Sequence, residues 1–106
     1  MLKVEIILNE DKILSEQQYN LQDMWNYLDD IYTETGIVKT NKGIYCGQGE
    51  KDFQTFWEIN MNLFKNAQWF TENVLSWQWY GISADGEPET ENILEEFIKA
   101  KAEIVV

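Results

Sequence analysis

The sequence predicts a single acidic α+β domain, residues 1–106, with about three helices packed on one face of a small, mainly antiparallel sheet. Two short segments alternate apolar and polar residues, as strands do, and three longer segments carry apolar residues at helical spacing. Hydrophobic residues make up 44% of the chain, which is enough to build a core despite a formal net charge of -11.

The first two elements are a strand and a helix. Residues 2–8 predict the strand, because every second residue is apolar. Residues 21–32 predict the helix from apolar residues three and four apart. Asn20 suits its N-cap and Gly36 suits the position just beyond its end.

A hairpin and a second helix follow. Residues 37–46 predict the hairpin, since Gly43 can take the positive φ that a short turn requires. Residues 47–49, Gly-Gln-Gly, predict a turn. Residues 51–65 carry a wide apolar arc and predict the central helix, and residues 67–73 either continue it or form a separate turn.

The last third of the chain predicts a strand, a helix and a final strand. Residues 75–80 alternate aromatic and polar side chains, as a strand does. Residues 84–91 predict an acidic turn that leads into a short helix over 93–101. Residues 104–106 are apolar and predict a last strand.

The basic residues exclude several classes of function. All eight are lysines, and the chain has neither arginine nor histidine. Without arginine the planar group that grips phosphates and base edges is missing, and the negative charge repels polyanions, so no direct nucleic-acid binding is expected. Without histidine there is no imidazole base and no usual zinc site. The same charge would attract a basic partner.

The start of the chain and its single cysteine predict a cytoplasmic location. Glu5, Glu10 and Asp11 lie where a signal peptide would be apolar. Cys46 has no second cysteine with which to form an intramolecular disulfide, and we expect it to be a small core residue of the hairpin. No apolar run approaches the ~20 residues that span a bilayer, so no membrane segment is expected.

Two stretches of the chain carry acids but no lysine. One lies between Lys12 and Lys39, and its Asp23, Asp30 and Glu34 form an exposed stripe on the first helix, where no lysine relieves their repulsion. The other lies between Lys65 and Lys99. The candidate partner-binding residues are Asp23, Asp29, Asp30, Glu34, Asp85, Glu87, Glu89, Glu91, Glu95 and Glu96.

These acids have other interpretations. Charged stretches most often form a solvated face that keeps a protein soluble. Asp85, Glu87, Glu89 and Glu96 match positions one, three, five and twelve of a calcium loop, but Thr90 stands where that loop needs glycine. We therefore predict no metal and no cofactor.

Fifteen aromatic residues are another unusual feature of so short a chain. Most are expected in the core, at positions Phe53, Trp57, Phe64, Trp25, Trp77 and Trp79. Partial exposure is expected among Tyr19, Tyr27, Tyr80 and Trp69. Exposed aromatic residues surrounded by carboxylates are typical of a protein–protein interface. The partner at such an interface could be a second copy of the chain, which would form a homodimer.

The leading expectation is a non-enzymatic interaction or inhibitor protein. Its carboxylates would imitate phosphates and bind a basic surface, such as that of a nuclease or another nucleic-acid-binding protein. Residues 91–106, an amphipathic helix running into an apolar strand, loosely resemble the end of the barstar type of acidic nuclease inhibitor. The alternatives are a small carboxylate-based enzyme or ligand-binding domain, and a structural subunit with no activity of its own.

Overall fold

The computed structural model describes residues 2–49, 51–82 and 85–104, and the side chains of these up to Ala100. The strands are β1 Lys3–Leu8, β2 Val38–Asn41, β3 Ile44–Cys46, β4 Val74–Ile82 and β5 Pro88–Asn92. The helices are α1 Glu10–Glu16, α2 Leu21–Thr33, α3 Asp52–Asn66, α4 Gln68–Thr71 and α5 Ile93–Ile104. None of the helices in this part of the chain has the length and apolar character needed to cross a membrane.

The sheet is antiparallel throughout and has the order β2-β3-β1-β4-β5. In the central strand, Val4 and Ile6 are buried beneath the helices, whereas Ile7 is half-exposed on the other face. Trp77 and Trp79 of β4 continue the buried side of this alternation. The helices therefore cover one face of an antiparallel sheet, which confirms the predicted α+β fold.

The helices bury their apolar sides in one hydrophobic cluster with the sheet. Leu28 of α2, Phe56 and Leu63 of α3 and Phe97 of α5 are at most 6% exposed. Because these positions recur at helical spacing, each helix buries one side and leaves the other in water.

Two buried tyrosines join three of these elements. The Tyr32 and Tyr45 rings stack with their centroids 4.4 Å apart. The Tyr32 hydroxyl donates to Asn60 Oδ1 at 2.7 Å, and the Tyr45 hydroxyl donates to Asp29 Oδ1 at 2.7 Å. These bonds tie α2 to α3 and to β3 while satisfying hydroxyls that water does not reach.

Alkaline pH is expected to destabilise the fold through this pair. Burial raises the pKa of Tyr32, and burial together with the neighbouring Asp29 carboxylate raises the pKa of Tyr45. Both tyrosines therefore stay protonated in the folded state above pH 10, where unfolded tyrosines ionise. Below about pH 10 the two tyrosines make their full contribution to the free energy of unfolding. Above that pH the free energy of unfolding falls by about 1.4 kcal/mol per pH unit for each tyrosine.

Chemical denaturation between pH 9 and pH 11 measures this loss. The matched control is the double variant Tyr32→Phe and Tyr45→Phe, whose free energy of unfolding should fall less steeply with pH. Equal slopes for the two proteins would contradict the assignment.

Helix α1 and strand β5 were not predicted. α1 is short and buries Ile13 alone, but Asn9 caps it by accepting a hydrogen bond from Lys12 N. The turn predicted over 84–91 is wrong from Pro88 onward, because this segment pairs with β4 although it contains no large apolar residue.

Two further expectations concern helix ends. Ala67 separates α3 from α4, so residues 67–73 contain a separate short helix. Ile104 belongs to α5 rather than to a last strand, and residues 105–106 of that predicted strand lie outside the described residues.

Candidate functional site

The first predicted acidic stretch forms a row on the exposed side of α2. Asp23, Asp30 and Glu34 are all exposed, with Glu34 at the C-cap of the helix. Asn20 holds the start of the helix by accepting a hydrogen bond from Asp23 N at 2.9 Å. At 1.5 Å per residue the row runs about 16 Å along the helix axis. We call these three residues the α2 row.

Most of this row lies at the unfavourable end of the helix. Asp30 is in the last turn of α2 and Glu34 caps it, and no basic residue is present in that turn. Because the C-terminus of a helix carries partial negative charge, acids there lower stability by a few tenths of a kcal/mol each. The sequence thus places negative charge where lysine would have stabilised the helix.

Asp29 differs from the three residues of the row. Its two carboxylate oxygens accept hydrogen bonds from the Tyr45 hydroxyl at 2.7 Å and from Lys39 Nζ at 2.9 Å. These contacts tie α2 to β2 and β3, so the Asp29 carboxylate is already occupied within the fold.

The ion pairs of the described residues leave the other candidate acids unneutralised. They join Lys12 to Glu16, Lys39 to Asp29 and Lys42 to Glu10. Hydrogen bonds from Lys42 and from the Trp25 indole lower the pKa of Glu10. Two of the few positive charges, those of Lys39 and Lys42, therefore tie the hairpin to α2 and to α1.

Two acids of the second stretch lie on strand β5, at the edge of the sheet. Glu91 lies opposite Trp79 and Glu89 lies opposite Gly81 in the pairing of β5 with β4. Since directly paired residues share a face, both glutamates project to the side that the helices cover. Trp79 is buried on that face.

The remaining acids of this stretch flank the same strand. Asp85 and Glu87 are exposed and precede β5. Glu95 and Glu96 are exposed in the first turn of α5, where negative charge complements the helix dipole. Asn92 begins this helix by accepting a hydrogen bond from Glu95 N at 3.0 Å.

A groove of about 290 Å³ lies between α3, α5, β4 and β5. Three of the predicted acids line it, namely Glu89, Glu91 and Glu96. Its aromatic lining consists of Phe53, Phe56, Trp57, Trp79 and Phe97. We call this site the aromatic groove, and it combines large apolar rings with carboxylates.

Two of these rings were wrongly predicted to lie in the core. Phe53 is 52% exposed and Trp57 is 47% exposed, although both were expected to be packed inside. The Phe53 and Trp79 rings form a T-shaped pair with centroids 5.8 Å apart, and the centroids of Trp57 and Phe97 lie 5.6 Å apart. The sequence signal for this exposure was the width of the apolar arc on α3, because the arc contains more apolar residues than one buried helix face can hold.

Asn60 is a polar residue of the groove that the sequence did not reveal. It is 4% exposed, and its Oδ1 accepts the hydrogen bond from the Tyr32 hydroxyl.

The two acidic stretches form separate surfaces. α2 packs against β2, and α5 packs against β4 and β5. Because β2 and β5 are opposite edges of the sheet, the α2 row and the aromatic groove lie on opposite sides of the helical layer.

Clustered metal-ligating side chains and the cysteine thiol are further groups that could carry chemistry. No group of three or more Asp, Glu or Cys side chains in the part of the chain that is described could hold a metal ion. Cys46 is 8% exposed, as expected of a core residue, and its Sγ lies 3.7 Å from the Thr40 hydroxyl.

Comparison with family models, with curated proteins and with solved structures finds no match to this chain. Its function is therefore inferred from the chemistry of its own residues.

Proposed function

We propose that this protein is a non-enzymatic interaction protein whose carboxylates bind a basic surface of another protein, one that itself binds nucleic acid. The carboxylates would occupy the positions of phosphates on that surface. Inhibition by nucleic-acid mimicry is the activity that such binding would produce, in the manner of anti-restriction, anti-CRISPR or nuclease-immunity proteins.

The α2 row is the observation that carries this proposal. Asp23, Asp30 and Glu34 are exposed on one side of a rigid helix, and none of the ion pairs among the described residues includes them. Because no lysine in the described part of the chain pairs with these carboxylates, their negative potential is available to a partner, and no ion pair among those residues has to break when the partner binds. Complementary fields of this kind accelerate association and make it sensitive to salt.

The position of the row on α2 also supports a role in binding. Asp30 and Glu34 oppose the helix dipole, and a surface selected only for solubility could have placed its charge at no such cost. Residues that lower stability without a structural benefit are typical of binding surfaces.

Neutralising the α2 row should weaken partner binding without unfolding the protein. We define the α2 variant as Asp23→Asn, Asp30→Asn and Glu34→Gln. Its free energy of unfolding should stay within about 0.5 kcal/mol of the parent, because loss of a favourable acid at the start of α2 offsets relief at the end. The association rate with the basic partner at low salt should fall about tenfold.

The partner is to be captured from extract of the cells that make this protein, on the immobilised parent and on the variant, with stepwise salt elution and mass spectrometry. A control variant with the same change in net charge is Asp11→Asn, Glu58→Gln and Glu72→Gln, at exposed positions outside the row. The proposal requires a nucleic-acid-binding protein that elutes with salt, is lost with the α2 variant and is kept with the control. Equal capture by all three proteins would refute the role of the row.

A further inference from the structure

The aromatic groove exposes rings that the fold does not bury. Phe53 and Trp57 remain about half in water although they lie beside buried Phe56 and Trp79. A partner that covered them would remove large apolar surfaces from water, and Trp is among the residues most favoured at the centre of protein interfaces.

The charges of the groove select the occupant. Glu89, Glu91 and Glu96 line it, and no basic side chain of the described residues does so. An anion or a neutral apolar group would leave these carboxylates facing it without compensation. Because aromatic rings line the same groove, the complementary ligand is an organic cation with a flat or apolar body.

We propose that the groove binds an arginine side chain of the basic partner, with the guanidinium against the aromatic rings and its N–H groups donating to the glutamates. A guanidinium is planar, stacks on aromatic faces and pairs with carboxylates through two parallel hydrogen bonds. The chain has no arginine of its own, so such an occupant comes from another molecule. This inference rests on the proposed function in one respect, that the partner is basic.

A purely structural role for the acids leads to a different expectation. Charged side chains on an edge strand such as β5 discourage edge-to-edge association of sheets. If that were their only role, replacing Glu89 and Glu91 would favour self-association and leave the affinity for arginine unchanged.

The test uses a capped peptide, Gly-Arg-Gly-Arg-Gly-Arg-Gly, and its citrulline analogue, which keeps the shape of arginine but lacks the charge. The parent protein should bind the arginine peptide about tenfold more tightly than the citrulline peptide in calorimetric titration, as expected for loss of charge-assisted hydrogen bonds. In NMR spectra the indole N–H signal of Trp57 should shift. Equal affinity for the two peptides would overturn the proposal.

Two variants test the groove itself. The groove variant is Glu89→Gln, Glu91→Gln and Glu96→Gln, and the second is Trp57→Ala. Each should weaken the arginine peptide about tenfold, whereas the α2 variant, which loses the same three charges, should bind it within about twofold of the parent. An equal loss in the groove and α2 variants would show general charge attraction and refute the site.

The two proposals fail separately in these experiments. Arginine-peptide binding that depends on the groove, without capture of a nucleic-acid-binding protein, would retain the groove and remove the proposed function. Salt-sensitive capture of a nucleic-acid-binding protein that is unchanged in the groove variant would retain the proposed function and remove the arginine site. A concentration-dependent shift of the Trp57 signal without peptide would show that a second copy of the chain covers the groove, which also overturns the arginine assignment.

Discussion

Replacing Gly43 with alanine is expected to lower the free energy of unfolding by about 3 kcal/mol or more. Gly43 has φ +75°, where side chains are disfavoured, and an added Cβ would collide with the carbonyl oxygen of Ile6. The same Cβ would lie 3.2 Å from the Trp25 ring. The Ile6 N–H donates to the Gly43 carbonyl at 2.7 Å, so the turn cannot withdraw without losing its contact with the central strand.

Gly36→Ala is the matched control for this variant. Gly36 also has a positive φ, +95°, but an added Cβ would meet no atom within 4 Å. Only the conformational cost remains, and we expect a loss of about 1 kcal/mol. Urea denaturation followed by circular dichroism measures both variants. Losses of equal size would show that the approach of the turn to Ile6 is unimportant.

Truncating Trp77 is expected to cost about 3 to 5 kcal/mol, a large part of the stability of a small domain. Its side chain is fully buried, and its ring centroid lies 4.9 Å from Phe70 and 5.7 Å from Phe97. Because the ring fills space in the core, the cost of Trp77→Ala is mainly a packing cost. Thermal and urea unfolding should both show the loss.

Trp57→Ala is the control for truncation of the same residue type. Because Trp57 is already about half-exposed, its removal should cost only about 1 kcal/mol, and the variant should fold. Similar losses for the two tryptophans would contradict the difference in packing that the structure shows. The small loss at Trp57 also makes this variant usable in the binding experiments.

Elements whose sequence signal is local were predicted well. Helix α2 combines a capping Asn20, a regular apolar side that includes Leu28, and a terminating Gly36. In strand β1 every second residue, from Val4 to Leu8, is apolar and buried, because one face of the antiparallel sheet packs against the helices. In both cases the same residues that set the local conformation also form the core.

Strand β5 was missed because its own sequence carries no apolar alternation. Pro88–Asn92 has no large apolar residue, so only its pairing with β4 makes it a strand. The aromatic groove follows from that pairing, because it turns Glu89 and Glu91 toward Phe53 and Trp57 of α3. The alternation Glu-Thr-Glu over residues 89–91 carries the period of a strand, but the period alone does not say which partner the strand will have.

The place of β1 in the sheet bears on how the chain reaches its folded state. Lys3 pairs with Cys46 on one side and with Tyr80 on the other, so the innermost strand obtains its neighbours from regions far along the chain. Bringing such distant segments together has an entropic cost before most of the sheet contacts can form, which slows folding. Until β4 arrives, one edge of an apolar strand stays open to pairing with other molecules, and the early steps of folding are when this protein is most prone to aggregate.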